Sequence, residues 1–247
     1  TIRHAHKFII GRWDNIRDVR RHIIFWLVGV ALLIAVVGAQ MVWLQRNYLM
    51  AAPVAGGVYA EAVNGPVDTL NPLYAVSGAE TASSKLLFSA LFDYDASGHL
   101  RGDLATSIKM DPNELDYIVT LRPSAKWHDG ELVTVQDILF TLGLMKDPTT
   151  RAVASLRLPW VGVTATQLSQ DTIKFTLPNP NAAFPHALTF SILPEHLLKE
   201  VKPQMLRESS FSTSPIGSGP FQLKRLQSVD PAEGRKIVHM SAFSDYY

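Results

Sequence analysis

The sequence predicts a domain of mixed strands and helices, α/β or α+β, preceded by one transmembrane helix. Two observations carry this. The run Ile23 to Leu44 is 22 residues without a charge, and Gln40 is its only strongly polar member. Behind it, stretches in which apolar residues alternate with a period of two are interleaved with stretches at helical spacing. Such a mixture packs as helices against sheet.

The membrane segment is the clearest element. At about 1.5 Å per residue, a helix over Ile23–Leu44 reaches about 33 Å, enough for a hydrocarbon core of about 30 Å. Six Lys/Arg precede the run, and Arg46 alone closely follows it. Positive charge stays in the cytoplasm, so the N-terminus is expected inside and the body outside. Trp26, Trp43 and Tyr48 lie near the two ends, where amphipathic rings favour the interface. The alternative is a cleaved secretory signal, with Val37-Gly38-Ala39 as the small-residue cleavage site. Against it, the apolar run continues through Met41-Val42-Trp43-Leu44 and is longer than a signal's apolar core. Either way the body is exported.

Composition narrows the function classes. Residues 1–50 carry a net charge of +5 and residues 51–247 carry −4. A mildly acidic body is a poor nucleic-acid partner, which needs a basic patch. With no cysteine, disulfides, thiolate metal sites, Cys nucleophiles and lipid attachment through an N-terminal Cys are all excluded. The chain begins at Thr1 and ends at Tyr246-Tyr247 within ordered-looking sequence, and reads as a fragment at both ends.

The remaining elements follow in order. Leu49–Gly57 is small, apolar and uncharged, a linker. Val58–Val63 has a strand's pattern, and Pro66 and Asn71-Pro72 punctuate a loop. Glu80–Leu91 has helical spacing at Leu87, Ala90 and Leu91. A hairpin turn is expected at Ser97-Gly98. Ile108 to Trp127 reads as two strands around Asp111-Pro112-Asn113, with Tyr117, Val119 and Leu121 alternating. His128-Asp129-Gly130 is a turn. Thr134-Val-Gln-Asp137 opens a helix with a capping-box-like start that ends near Asp147-Pro148, with Ile138, Leu142 and Met145 on one face. Asp171–Leu177 is an alternating strand. Pro194–Val201 is a short helix with proline in its first turn. Gly217-Ser218-Gly219-Pro220 turns into a strand at Phe221–Leu226, and Ile237–Met240 is a last short strand.

Chemistry-bearing residues are few. Trp127-His128-Asp129-Gly130 offers a His and an Asp, but no nucleophile accompanies them, and a structural turn explains the same residues. Gly217-Ser218-Gly219 lacks the Gly-x-Ser-x-Gly spacing of a nucleophile elbow, because Ile216 and Pro220 flank it. His4, His6, His22 and Glu195-His196 have no recognised metal spacing. Neither a metal nor another cofactor is expected. Trp160 could be a cleft aromatic, and a core residue is the preferred reading.

The order of segments resembles a known family, the extracytoplasmic solute-binding proteins of the peptide/nickel class. The resemblance runs from about Gly56 to the end. It is carried by Gly57-Val-Tyr-Ala-Glu-Ala, Leu70-Asn71-Pro72, Leu86-Leu-Phe-Ser-Ala-Leu-Phe-Asp-Tyr-Asp95 and Asp103-Leu-Ala. It continues through Ala125-Lys-Trp-His-Asp-Gly-Glu131 with Thr134-Val-Gln-Asp137, then Asp171–Leu177, Leu193-Pro-Glu-His-Leu197 and Gly217-Ser-Gly-Pro-Phe221. Ser124 stands where the family usually has an acid, a local change in turn chemistry.

The resemblance implies an α/β, type II periplasmic-binding-protein-like bilobal fold, of which only the first lobe is present. Residues 1–22 would be the cytoplasmic flank, 23–44 the anchor, 45–56 the linker and 57–247 the first-lobe part. It implies peptide capture for an ABC permease, by a monomer, with no catalysis. Val76, Ser77, Gly78 and Ala79 would line the cleft, where backbone groups pair with an extended peptide. Gly217, Ser218 and Gly219 would lie near the lobe junction. The rivals are the same fold binding nickel complexes, glycans or another small solute, a membrane-anchored hydrolase, and a scaffold or sensor without transport.

Overall fold

The computed structural model describes residues 2–48, 56–230 and 235–247. The chain divides into two compact units, residues 1–60 and 61–247. In the first, helix α1 (Ile2–Tyr48) is continuous over 47 residues. It contains one stretch long and apolar enough to cross a membrane, Val19–Arg46, which includes all of the predicted run. Every side chain described along it is exposed, large apolar ones such as Phe25, Leu27 and Leu33 included. By length and composition this stretch is compatible with a membrane anchor. The helix carries on through Tyr48, the first residues of the expected linker, and 49–55 lie outside the described residues.

No strand forms at Val58–Val63. Val58 is 99% exposed. Alternation makes a strand only when one face has a core to cover and an edge to pair with.

The second unit begins its regular structure with α2 (Gly78–Leu87). The expected helix ran on to Leu91, but Phe88 adopts an extended conformation. Tertiary hydrogen bonds take over beyond it. The Ala90 N–H donates to Asp103 Oδ2 at 3.0 Å, and the Leu91 carbonyl accepts from the Asp103 and Ala105 N–H groups. A hairpin follows, β1 (Phe92–Tyr94) and β2 (Leu100–Gly102). Asp95 Oδ1 ties its turn by accepting the Ser97 and His99 N–H groups.

The main sheet has β3 (Ala105–Met110), β4 (Asp116–Leu121), β5 (Thr164–Gln167) and β6 (Thr172–Thr176), in the order β3-β4-β6-β5 with every pair antiparallel. The predicted alternation holds: Tyr117, Val119 and Leu121 of β4 and Ile173 and Phe175 of β6 are buried. They join one core with Ile138, Leu142 and Met145 of α3 (Val135–Lys146) and with Trp160. Trp160 is core, 2% exposed, with its ring 5.6 Å from Phe175, 5.6 Å from Phe184 and 5.1 Å from Phe190.

Asp137 fastens the start of α3. Its Oδ2 accepts the Thr134 N–H at 2.8 Å and the Thr134 hydroxyl at 3.0 Å, and its Oδ1 accepts the Glu195 N–H at 2.8 Å. The last contact docks the short helix Glu195–Leu198, whose N-cap is Pro194, so the proline stands one position ahead of the first turn. Asp137 is buried, so Asp137→Ala strands two backbone donors. The expected cost is about 2–4 kcal/mol by urea unfolding, from the penalty of unpaired buried groups. A loss within about 0.5 kcal/mol, the range of ordinary surface changes, would show that water replaces the carboxylate.

The domain closes with a long antiparallel ribbon, β7 (Phe221–Asp230) and β8 (Arg235–Ala242). Both strands outrun the predicted ones, because ladder pairing extends through residues too polar to announce a strand.

Candidate functional site

The two stretches expected to meet ligand sit at opposite ends of α2. Val76–Ala79 enters the helix, and Gly217–Gly219 packs on its last residues. Ten helical residues separate these ends by roughly 14 Å.

At the entry, Ser77 is the N-cap, and its Oγ accepts the Glu80 N–H at 3.0 Å. Glu80 returns the bond and does more. Its Oε2 accepts the Ser77 and Val76 N–H groups at 3.0 Å each. Its Oε1 accepts those of Asp68 at 2.9 Å and Thr69 at 3.2 Å. An ionised carboxylate offers about four lone-pair positions, and here each has a donor. The far side of the loop is anchored as well. The Leu70 N–H donates to the Ser212 carbonyl at 2.7 Å, Asn71 Oδ1 accepts the Leu73 N–H at 3.1 Å, and the Tyr74 hydroxyl donates to the Thr150 carbonyl at 3.0 Å.

This bonding sorts the four residues. Ser77 has its N–H on Glu80, its carbonyl accepting from Thr81, and its hydroxyl donating to the Pro66 carbonyl at 2.6 Å. The Val76 N–H is likewise taken. Ala79 is buried, whereas Val76 is 75% exposed and Gly78 is exposed. Outward-facing groups therefore come from Val76 and Gly78. Sequence reasoning missed Glu80, although Ser77-x-x-Glu80 is the capping-box spacing.

At the other end, Ser218 is fully buried. Its Oγ accepts the Ser89 N–H at 3.3 Å, and its carbonyl accepts the Ser89 hydroxyl at 3.1 Å. The Gly219 N–H donates to the Leu87 carbonyl at 2.9 Å. His128 clasps the same triplet from the turn. Its Nδ1 accepts the Gly217 N–H at 3.2 Å, its Nε2 donates to the Gly219 carbonyl at 3.0 Å, and its own N–H donates to the Gly217 carbonyl at 2.8 Å. This pattern requires the neutral imidazole with its proton on Nε2. His128 and Ser218 thus spend their polar atoms on backbone and on Ser89, and not on each other. Asp129 pairs instead with His196, Oδ2 to Nε2 at 2.9 Å. No group of three or more potential metal ligands forms among the described residues.

Near the C-terminal residues, Asp103 Oδ1 accepts the hydroxyls of Tyr246 at 3.1 Å and Tyr247 at 2.7 Å, while Arg122 lies over the Tyr247 ring at 4.8 Å. Burial and the Asp103 charge both raise the Tyr246 and Tyr247 phenols, which stay protonated as donors. Elsewhere, a cavity of about 350 Å³ is lined by Lys146, Arg157 and residues 160–164. Neither expected stretch borders it.

Glu80 and His128 both titrate below their ordinary values. Burial would raise Glu80, but its four backbone N–H bonds outweigh that and lower it. Burial lowers His128, and the Gly219 carbonyl and the Asp129 charge offset only part of this. In each case the unfolded chain holds the proton more tightly. The stability these groups contribute is present above the unfolded pKa and is lost as pH falls through the folded pKa. The urea midpoint is therefore expected to decline first below about pH 6.5 and again below about pH 4.3. His128→Gln should remove the upper step. A midpoint flat across the upper range would show that His128 carries charge in the fold.

Known proteins share this fold. Residues 99–247 match the family described as bacterial extracellular solute-binding proteins, family 5 Middle. A Brucella ovis protein with the provisional name ABC transporter peptide-binding protein is 32% identical over 199 residues, 80% of this chain and 36% of the relative. The structure of NikZ from Campylobacter jejuni in complex with Ni(L-His) superposes with a TM-score of 0.65 and 28% identity, over 75% of this chain and 35% of that one. The oligopeptide-binding protein AppA from Bacillus subtilis, in complex with a nonapeptide, gives a TM-score of 0.63 and 26% identity, over 71% and 34%. The chain thus spans about a third of the length of these relatives. With its matched segment lying across the sheet, the His128 turn and the closing ribbon, the chain belongs to the family 5 extracellular solute-binding proteins and holds the first-lobe part of their type II periplasmic-binding-protein-like fold.

Proposed function

We propose that this chain is the anchored front part of the solute-binding component of an ABC importer, and that it captures peptides outside the cell for a permease. The observation that carries the reading is the loop at Val76–Ala79, fastened from behind by Glu80 and Thr150 and exposed at Val76 and Gly78. A preformed loop costs a ligand little ordering entropy. In this reading Val76–Ala79 lines the cleft, and Gly217–Gly219 supports it from the other end of α2. The names carried by the Brucella ovis relative and by AppA favour peptides.

The remaining assignments belong to the same proposal. Residues 1–22 lie in the cytoplasm, 23–44 form a signal anchor, 45–56 a linker and 57–247 the lobe. The protein acts as a monomer by closure of two lobes, with ligand shifting the open–closed population, and performs no chemistry.

A second reading rests on NikZ, whose structure contains Ni(L-His). Thermal unfolding of the whole protein in detergent decides between them, with pools of di- to hexapeptides, Ni²⁺ with histidine, and oligosaccharides. A ligand held at about 100 times its Kd adds about 2.7 kcal/mol to the folded state. A rise with peptides alone supports peptide capture. A rise with Ni²⁺–histidine or sugars alone replaces peptide by that solute, and no rise with any pool overturns the binding reading.

A further inference from the structure

We propose that Glu80 is the positioning residue of the ligand-facing loop: its carboxylate, more than the helix start it caps, sets the shape of Val76–Ala79. The inference rests on the reading of that stretch as cleft lining. An ordinary capping box uses the acid at the third helical position to hold a single N–H, that of the N-cap. Glu80 holds four, at Asp68, Thr69, Val76 and Ser77. Two separate pieces of backbone, one on each side of the Asn71 turn, thus converge on one side chain that is 2% exposed. The loop between them has no regular ladder of its own, so this carboxylate, beside the single bond from the Ser77 hydroxyl to the Pro66 carbonyl, is where most of the joining of its two arms is done.

The geometry also dictates what a ligand meets. Because Glu80 takes the Val76 and Ser77 N–H groups, a peptide cannot pair with either of them. Contact is left to the Val76 side chain and to Gly78 itself. Glutamine cannot substitute. Its amide nitrogen would face two N–H donors with hydrogens of its own, a juxtaposition of like with like. Aspartate keeps the charge but is one methylene shorter, so it can serve one arm of the loop and not both.

The test compares Glu80→Gln, Glu80→Asp and Asp137→Asn in the whole protein in detergent. Asp137→Asn weakens the other helix start and controls for general loss of stability. Two quantities are read: amide hydrogen exchange resolved across residues 66–80 and 135–146, and the affinity for hexaalanine. In Glu80→Gln, exchange at Asp68, Thr69, Val76 and Ser77 is expected to quicken by about 100-fold relative to α3. Hexaalanine affinity should fall by about 10-fold or more, with Asp137→Asn close to wild type. Glu80→Asp should restore protection on one arm only, and it stands in if Glu80→Gln does not fold. Unchanged protection of the four amides in both Glu80 variants overturns the proposal. Equal weakening of binding by Glu80→Gln and Asp137→Asn also overturns it, because the effect would then be stability alone. If wild type ignores hexaalanine while the exchange depends on Glu80, the peptide reading fails and the hold of Glu80 on the loop stands.

Discussion

Gly219→Ala and Gly217→Ala are each expected to cost more than about 4 kcal/mol, or to prevent folding of residues 61–247, the range reserved for severe core lesions. A methyl group at Gly217 would lie 1.8 Å from the Leu87 carbonyl oxygen, and one at Gly219 would lie 2.5 Å from that of Leu86. Both obstacles are backbone at the end of α2, which cannot swing aside as a side chain can. Relief would require separating the triplet from the helix and giving up the bonds from Gly219 to Leu87 and from His128 to Gly217. Gly143→Ala is the matching control. It lies inside α3 with nothing within 4 Å of the added methyl, and it should stabilise by about 0.5–1 kcal/mol. Urea unfolding of all three variants checks the set. A small loss at Gly217 and Gly219 would mean that the triplet does not seat against α2 as described.

Trp160→Ala should be nearly as damaging, at about 3–5 kcal/mol, the usual cost of emptying a large aromatic from a core. The ring touches Phe175 of β6, Phe184 and Phe190, so its removal opens space among three rings that the sheet cannot collapse to fill. Trp160→Phe keeps most of the packing and should cost about half as much. Ligand affinity measured on Trp160→Phe separates the two roles that the sequence allowed. A core residue leaves affinity near wild type while the midpoint falls. Lost affinity at an unchanged midpoint would instead make Trp160 a cleft aromatic.

Much of the architecture was legible along the chain because it is written in local periods. The uncharged Ile23–Leu44 run, the alternation of Tyr117, Val119 and Leu121, and the helix opened by Thr134 and Asp137 are each marked by residues that are neighbours along the chain. The order of these segments was enough to indicate the family. The same local reasoning failed at Val58–Val63, where alternation has no core to face, and at the end of α2. There Asp103 and Ala105 capture backbone that helical spacing would have kept in the helix.

The candidate site was only half legible. Both stretches could be named from sequence, but not what each does. Ser218 meets Ser89 across 129 positions, and Gly217 meets His128 across 89. Contacts so remote leave no spacing for a pattern to show. Glu80 lay in plain view as the third residue after Ser77, yet its two further partners, Asp68 and Thr69, come from a loop whose path no period encodes. By itself the sequence determined the apolar helix near the N-terminus, the alternating strands β4 and β6, the start of α3 and the family, because each is set by neighbours in the chain. Tertiary structure alone decided that Val76 and Gly78 face outward while Ser77 and Ser218 do not, because a polar group is free for ligand only when no distant backbone has already claimed it.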